Sequence, residues 1–238
     1  MKKYVALISL IFTQLLFAAP VIVNAPIQKL FIPSGYDNND NVEVIVTGFF
    51  TNPCYARHKF TVDVVDDVID IKITALSTLR VDEACMDMMI PFKEVVTIGN
   101  LQAGDYTIFV NKNTANEIKD KMKVNLASSQ SVDDHIYAMV DYIDLGFVGG
   151  ENGELNLVGW LPSDCLEFDR VEMIDNGKDV LSVLPIMKRV SDFCPMKLTP
   201  LNIPVKFDTT RFKSKQVLVF TRTIDGKSVN ALISTENK

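Results

Sequence analysis

The chain has little of what enzymes and nucleic-acid binders usually show. It holds two histidines, His58 and His135, and a single tryptophan, Trp160. General acid–base work near neutral pH most often uses His. Here His58 lies in the turn-like Arg57-His58-Lys59 and His135 follows Asp133-Asp134, each without an equivalent in the other half of the chain. Both read as solvated turn residues, not catalytic bases. Gly-x-Ser-x-Gly, Ser-x-x-Lys, His-Glu-x-x-His and phosphate-cradling glycine loops are missing. Cys-x-x-Cys spacings and Cys/His clusters are missing too, which excludes the common zinc and dithiol designs. No catalytic, cofactor-binding or metal-binding residue is therefore assigned. Lys and Arg nowhere cluster, so the electrostatic footprint of nucleic-acid binding is absent. No stretch sustains a 3.6-residue period; Asn113–Lys123 allows a helical turn and nothing longer.

Long apolar runs are also scarce, with one exception at the start. Lys2 and Lys3 precede an almost unbroken apolar run from Tyr4 to Ala19, closed by Ala18, Ala19 and Pro20. A basic start, an apolar run and small residues are the pattern of a secretory signal. The run falls short of the roughly 20 residues a membrane-spanning helix needs. Residues 1–18 are expected to be removed, since cutting after Ala19 would leave Pro20 first. Losing Lys2 and Lys3 leaves 22 of the 24 basic side chains against 30 acidic ones, a net charge of −8. That charge disfavours docking on an anionic membrane surface. The mature chain carries no second run of spanning length, and its expected location is periplasmic or secreted.

The remaining chain is written twice. Gly48, followed by Phe49-Phe50-Thr51-Asn52-Pro53-Cys54, matches Gly159, followed by Trp160-Leu161-Pro162-Ser163-Asp164-Cys165, 111 residues later. The next cysteines, Cys85 and Cys194, are each followed six residues on by a proline, Pro91 and Pro200. Two cysteines, a glycine and a proline in near register identify an internal duplication. Four cysteines allow three connectivities. If each copy closes its own bridge, the pairs are Cys54–Cys85 and Cys165–Cys194; four reduced thiols are the alternative.

Short runs with period-two alternation dominate both copies. The expected strands are 27–32, 42–50, 60–65, 68–75, 94–98, 105–111 and 121–126, then 136–143, 154–161, 168–174, 180–185, 203–207, 216–223 and 228–234. Asp66-Asp67 reads as a tight link, and Asn176-Gly177 and Asp225-Gly226 as two-residue hairpin turns. This density of strands predicts an all-β protein of two tandem antiparallel, immunoglobulin-like β-sandwich domains, each with one disulfide. The first spans 19–126 and the second 132–238, with the small polar run Ala127–Ser131 as a linker short enough to make the two touch end to end. Gly104-Asp105-Tyr106 ahead of Thr107–Val110 resembles the tyrosine corner of such sandwiches. With its Asn52-Pro53-Cys54 turn, the chain resembles exported bacterial tandem immunoglobulin-like β-sandwich repeats, a resemblance that implies architecture and carries no activity.

Other side chains have structural explanations. Asp37-Asn38-Asn39-Asp40-Asn41 opens like a Ca²⁺ loop, but Val42 replaces its glycine and Gly48 its final Glu. It is expected to cap a turn. Asp63, Asp66, Asp67 and Asp70 crowd one hairpin, where charge blocks edge pairing. Met86, Met88 and Met89 are expected to fill core near the first bridge, with an adaptable contact surface as the alternative. Trp160 is expected to pack in the core near Cys165. These features favour a non-catalytic binding or structural module that holds a protein or glycan of the cell envelope through loops or edge strands. An enzyme or enzyme inhibitor with a loop-borne site is the rival, and a strand-exchanging assembly subunit a third reading.

Overall fold

The structure is a computed structural model describing residues 21–78, 84–131, 133–149 and 152–234, without the side chains at 57, 58, 147–149 and 225. The expected signal segment lies outside the described residues. The first module contains β1 (Val21–Asn24), β2 (Ile27–Phe31), β3 (Val42–Phe50), β4 (Tyr55–Val65), β5 (Val68–Ser77), β6 (Ile90–Gly99), β7 (Gly104–Val110) and β8 (Ile118–Val124). The second contains β9 (Ile136–Tyr137), β10 (Met139–Gly149), β11 (Asn152–Ser163), β12 (Leu166–Asp175), β13 (Val180–Arg189), β14 (Met196–Asp208), β15 (Gln216–Arg222) and β16 (Ser228–Ser234).

The two halves share one topology. A large sheet runs β4-β5-β7-β8 in the first and β12-β13-β15-β16 in the second. The facing small sheets are β2-β3-β6 and β10-β11-β14. Most pairings are antiparallel, but β5–β7 and β13–β15 are short parallel pairs. The strand between each pair, β6 or β14, crosses to the small sheet, so the chain returns in the same direction. The chain also changes sheets at its start: β1 lies along β5, and after Ala25-Pro26 β2 joins β3. On either side of Ala138, β9 and β10 repeat the manoeuvre on β13 and β11.

The duplicated glycines sit at this crossing. A Cβ on Gly48 would collide with the Pro26 carbonyl oxygen, and one on Gly159 with that of Met139. A β-strand passing this closely over another tolerates only glycine. The duplicated prolines have a different task. Pro91 and Pro200 lie on β6 and β14, opposite Phe49 and Trp160, on the outer strands of the small sheets. A proline offers no N–H to an incoming strand there.

Two buried polar residues close the seam where the first strand leaves the large sheet. Asn111, at φ 51°, accepts the Ile73 N–H at 2.8 Å and donates to the Ala25 carbonyl at 2.9 Å. Thr223 accepts the Val140 N–H at 2.8 Å and donates to the Ala138 carbonyl at 3.1 Å. Tyr106 makes the anticipated corner, its hydroxyl donating to the Gln102 carbonyl at 2.9 Å.

Of the local expectations, the tight link at Asp66-Asp67 holds and the others need correction. Asp66-Asp67 is a two-residue turn, with Val65 opposite Val68 and Asp66 at φ 54°. Asn176-Gly177 instead belongs to a longer turn, in which the Asn176 carboxamide accepts the backbone N–H groups of Lys178, Asp179 and Val180. Gly226 closes a 3-10 turn, Ile224–Gly226, again longer than two residues. Residues 113–117 carry no helix, and β8 begins at Ile118.

Each module buries its own apolar strand faces, Val44, Val46, Ile69, Ile71 and Ile73 in one and Leu155, Leu157, Val183 and Val219 in the other. The first core also takes in Val180, Leu218 and Phe220 from the second module. The halves are therefore joined through a shared core, a closer contact than end-to-end abutment. Residues 127–131 lie outside any strand and are pinned: the backbone and hydroxyls of Ser128 and Ser129 all donate to the Asp134 carboxylate.

Candidate functional site

Two features stand out, a cleft between the modules and a matched pair of disulfide-braced tips. The cleft grows from the loop between β2 and β3. Asp37 accepts the Asn39 N–H, and Asp40 accepts the Asp37 N–H at 2.8 Å, so the Asp/Asn run caps a turn as expected. This turn places Asp40 at the junction, where Arg222 arrives from the end of β15. The guanidinium lies 2.7 Å from Asp40 Oδ1, donates to the Gly35 carbonyl at 2.6 Å and to the Tyr137 hydroxyl at 3.3 Å. It also stands 4.8 Å from the Tyr36 ring centroid and 5.7 Å from that of Tyr137, within cation–π range. Tyr36, almost wholly buried, donates its hydroxyl to the Glu43 carbonyl at 3.0 Å and accepts the Glu43 N–H at 3.2 Å. Glu43 in turn accepts the Ser228 hydroxyl.

Above this group opens a cleft of about 640 Å³, lined among others by Asn39, Glu43, Asp133, His135, Ile224 and Lys227. Burial and the crowding of carboxyls set its protonation. Burial pushes Asp37 up to about 6, with Asp40 and Asp134 adding to the rise. Burial raises Asp40 against the pull of Arg222, and raises Asp133 as well. Asp134 goes the other way, held well below the usual carboxylate range by the Ser128 hydroxyl and backbone N–H. Arg222 Nε and Asn39 Oδ1 are buried without a hydrogen-bond partner among the described residues.

Among the described residues, His135 and Asp133 are not joined as a dyad in the cleft. His135 bonds to Asp133 through its backbone N–H, and its ring meets Tyr137 edge-on at 6.3 Å. The side chain of His58 lies outside the described residues. Among the described residues, no group of three or more His, Cys, Asp or Glu side chains could hold a metal ion.

The tips are built alike. Cys54–Cys85 and Cys165–Cys194 are both closed, joining the β3–β4 and β11–β12 turns to the loops before β6 and β14. Asn52 accepts the Cys54 N–H at 3.1 Å, and Ser163, its counterpart, accepts the Cys165 N–H at 3.3 Å. The Cys54 carbonyl receives the Thr78 N–H and the Cys165 carbonyl the Val190 N–H, each at 2.8 Å. On these braced loops apolar side chains point outward. Met86 is 69% and Met89 65% exposed beside the first bridge; Phe193 is 80% and Met196 94% exposed beside the second. The methionines thus form surface, not core. Trp160 is also corrected: it is half-exposed on the small sheet and donates its Nε1–H to Asp141 at 2.9 Å.

Sequence reasoning did not single out Arg222, Tyr36 or Tyr137, nor the exposure of Phe193 and Met196. A lone Arg closing an apolar strand was the available signal for the first group.

A protein-family model described as ORF11 beta-sandwich domain matches residues 44–119, from β3 into β8. The match covers about a third of the chain and accords with the β-sandwich seen in the first module. No curated protein and no solved structure matches the chain. Among the described residues, no helix is long and apolar enough to cross a membrane.

Proposed function

We propose that this protein is an exported, non-catalytic binding module whose two disulfide-braced tips hold a protein of the cell envelope. The observation that carries the reading is the repetition of the tip. Both copies pin the same turn with the same bridge and present large apolar side chains to solvent. Isolated exposed apolar residues need no explanation, but clusters on rigid loops are characteristic of contact surfaces. Methionine and phenylalanine anchors suit an apolar protein patch better than a glycan, and Met adapts to irregular partners. Export is supported by the pattern of residues 1–18 and by two closed bridges, which persist in oxidising compartments. The shared core holds the two tips in fixed relation, which favours their acting together.

Affinity capture from the native envelope with the oxidised chain tests this. Met88→Asp and Phe193→Asp together abolish capture while near-UV circular dichroism stays unchanged. Capture that survives this pair, and also survives recutting the turns at Asn52-Pro53 and Ser163-Asp164, rules the tips out.

The partnerless Arg222 Nε beside the cleft supports a second reading, in which a small polar ligand sits between the modules. An enzyme or inhibitor role would use this place. Turnover of an envelope polymer by the purified chain, lost on Asp133→Asn, would establish it over the binding reading.

A further inference from the structure

The geometry points to a second partner surface: we propose that the free edge of β4 joins two copies of this chain in a two-fold antiparallel pair. Among the described residues, β4 pairs with β5 alone. Because Asp66-Asp67 is a two-residue turn, Val65 and Val68 exchange both hydrogen bonds, and the pairs Asp63–Asp70, Thr61–Lys72 and Lys59–Thr74 follow in alternation. The N–H and C=O groups of Phe60, Val62 and Val64 therefore point away from β5. Their side chains share a face with the buried Ile73, Ile71 and Ile69, yet Phe60 is 39% and Val64 43% exposed. The facing sheet has three strands against five, and this strip stays partly uncovered. Outward backbone groups and an uncovered apolar strip thus fall on the same three residues, which is what an added strand requires.

The occupant is chosen by charge. Turned antiparallel about a two-fold axis through Thr61, the strand sets Phe60 beside Val62 of a second copy, with outward backbone groups meeting each other. In the same register Lys59 stands opposite Asp63 of the second copy, and Asp63 opposite Lys59, so the Asp63 charge that the sequence suggested would block edge pairing is matched instead. Both side chains are exposed, and neither has an ion-pair partner among the described residues. Thr61 meets its own equivalent on the axis, another favourable cross-strand pair.

Four other outer strands are protected against this. β6 and β14 carry Pro91, Pro200 and Pro204. β8 presents Lys119, Lys121 and Lys123 outward, so self-pairing sets lysine against lysine. β12, the counterpart of β4, bears Glu167, Asp169, Glu172 and Asp175 against one base, Arg170, and repels its own copy. Of these edges only β4 is self-complementary.

Light scattering on the purified, oxidised chain over a concentration series tests the pairing. The chain forms a dimer that dissociates on dilution. Lys59→Asp and Asp63→Lys each weaken it by about tenfold or more, and the double swap Lys59→Asp with Asp63→Lys restores it. A chain that stays monomeric at every soluble concentration overturns the proposal. So does a dimer indifferent to either reversal, or one the double swap fails to restore. The tip variants Met88→Asp and Phe193→Asp leave the dimer intact, which separates this surface from the proposed binding tips.

Discussion

Arg222 and Asp40 lie 182 residues apart in the chain and meet at 2.7 Å in the buried junction between the modules. A buried pair is weak evidence of net stabilisation, because desolvating two charges offsets much of their attraction. Its value here is positional. Arg222 also touches the Gly35 carbonyl and the Tyr137 hydroxyl, so one side chain ties the β2–β3 loop to both ends of the second module.

Removing either partner should therefore be costly and removing both much less so. Asp40→Ala or Arg222→Ala is expected to lose about 3–5 kcal/mol of stability, since each strands a buried charge. Asp40→Leu combined with Arg222→Met should recover most of that loss. Urea unfolding of the four chains checks it, with additivity of the single losses counting against a coupled pair.

Acid affects the junction in two opposite senses. Asp37 has its folded pKa raised to about 6 by burial, above the value of about 3.9 for an unfolded Asp. The folded state thus binds more protons between these values, and this group's contribution to stability rises as pH falls from about 7 to 4. Asp134, depressed by its bonds to Ser128, contributes stability that is present above the unfolded value and lost as pH falls through its own lower pKa. Asp37→Asn should flatten the upper arm of the stability profile and stabilise at neutral pH. Asp134→Asn should destabilise at neutral pH and flatten the acid arm. Thermal unfolding from pH 3 to 8 distinguishes them.

The duplicated glycines make a steric prediction. Gly48→Ala and Gly159→Ala should each cost about 1–3 kcal/mol or more, because the added methyl meets a backbone carbonyl that cannot turn away. Ala at Gly99, where nothing lies within 4 Å but φ is 96°, should show backbone strain without the clash. Chemical denaturation of the three variants ranks the two effects.

What could be read from the chain, and what could not, follows the range of the interactions. The β3 run Val42–Phe50 was bounded correctly, because alternation and turn chemistry act over a few residues. The two bridges were legible because duplication reduces a long-range pairing to a local one. Arg222 was not, since its partner lies 182 positions away and no spacing rule links them. The methionines after Cys85 were misplaced for a related reason: in a loop, no period distinguishes an apolar side chain facing solvent from one facing the core. Trp160 was misplaced because the alternating strand β11 puts its neighbours Leu155 and Leu157 inside and Trp160 on the opposite face.

Asn111 allows conformation and hydrogen bonding to be separated at one position. It takes φ 51°, which Asn tolerates better than most residues, and its carboxamide satisfies Ile73 N–H and Ala25 C=O in the interior. Asn111→Gly keeps the backbone conformation and strands both groups, for an expected loss of about 2–4 kcal/mol. Asn111→Ala strands the same groups and adds strain of about 1 kcal/mol in the left-handed region. Asn111→Asp keeps the acceptor for Ile73 but turns a donor toward Ala25 into a second acceptor, and burial then favours its protonated form. The Asp variant should lie close to wild type at acid pH and fall to the level of Gly above neutrality. Equal stability of Gly and wild type would show that the carboxamide is dispensable, and that the seam is held by the backbone pair of Ala25 and Ile73 alone.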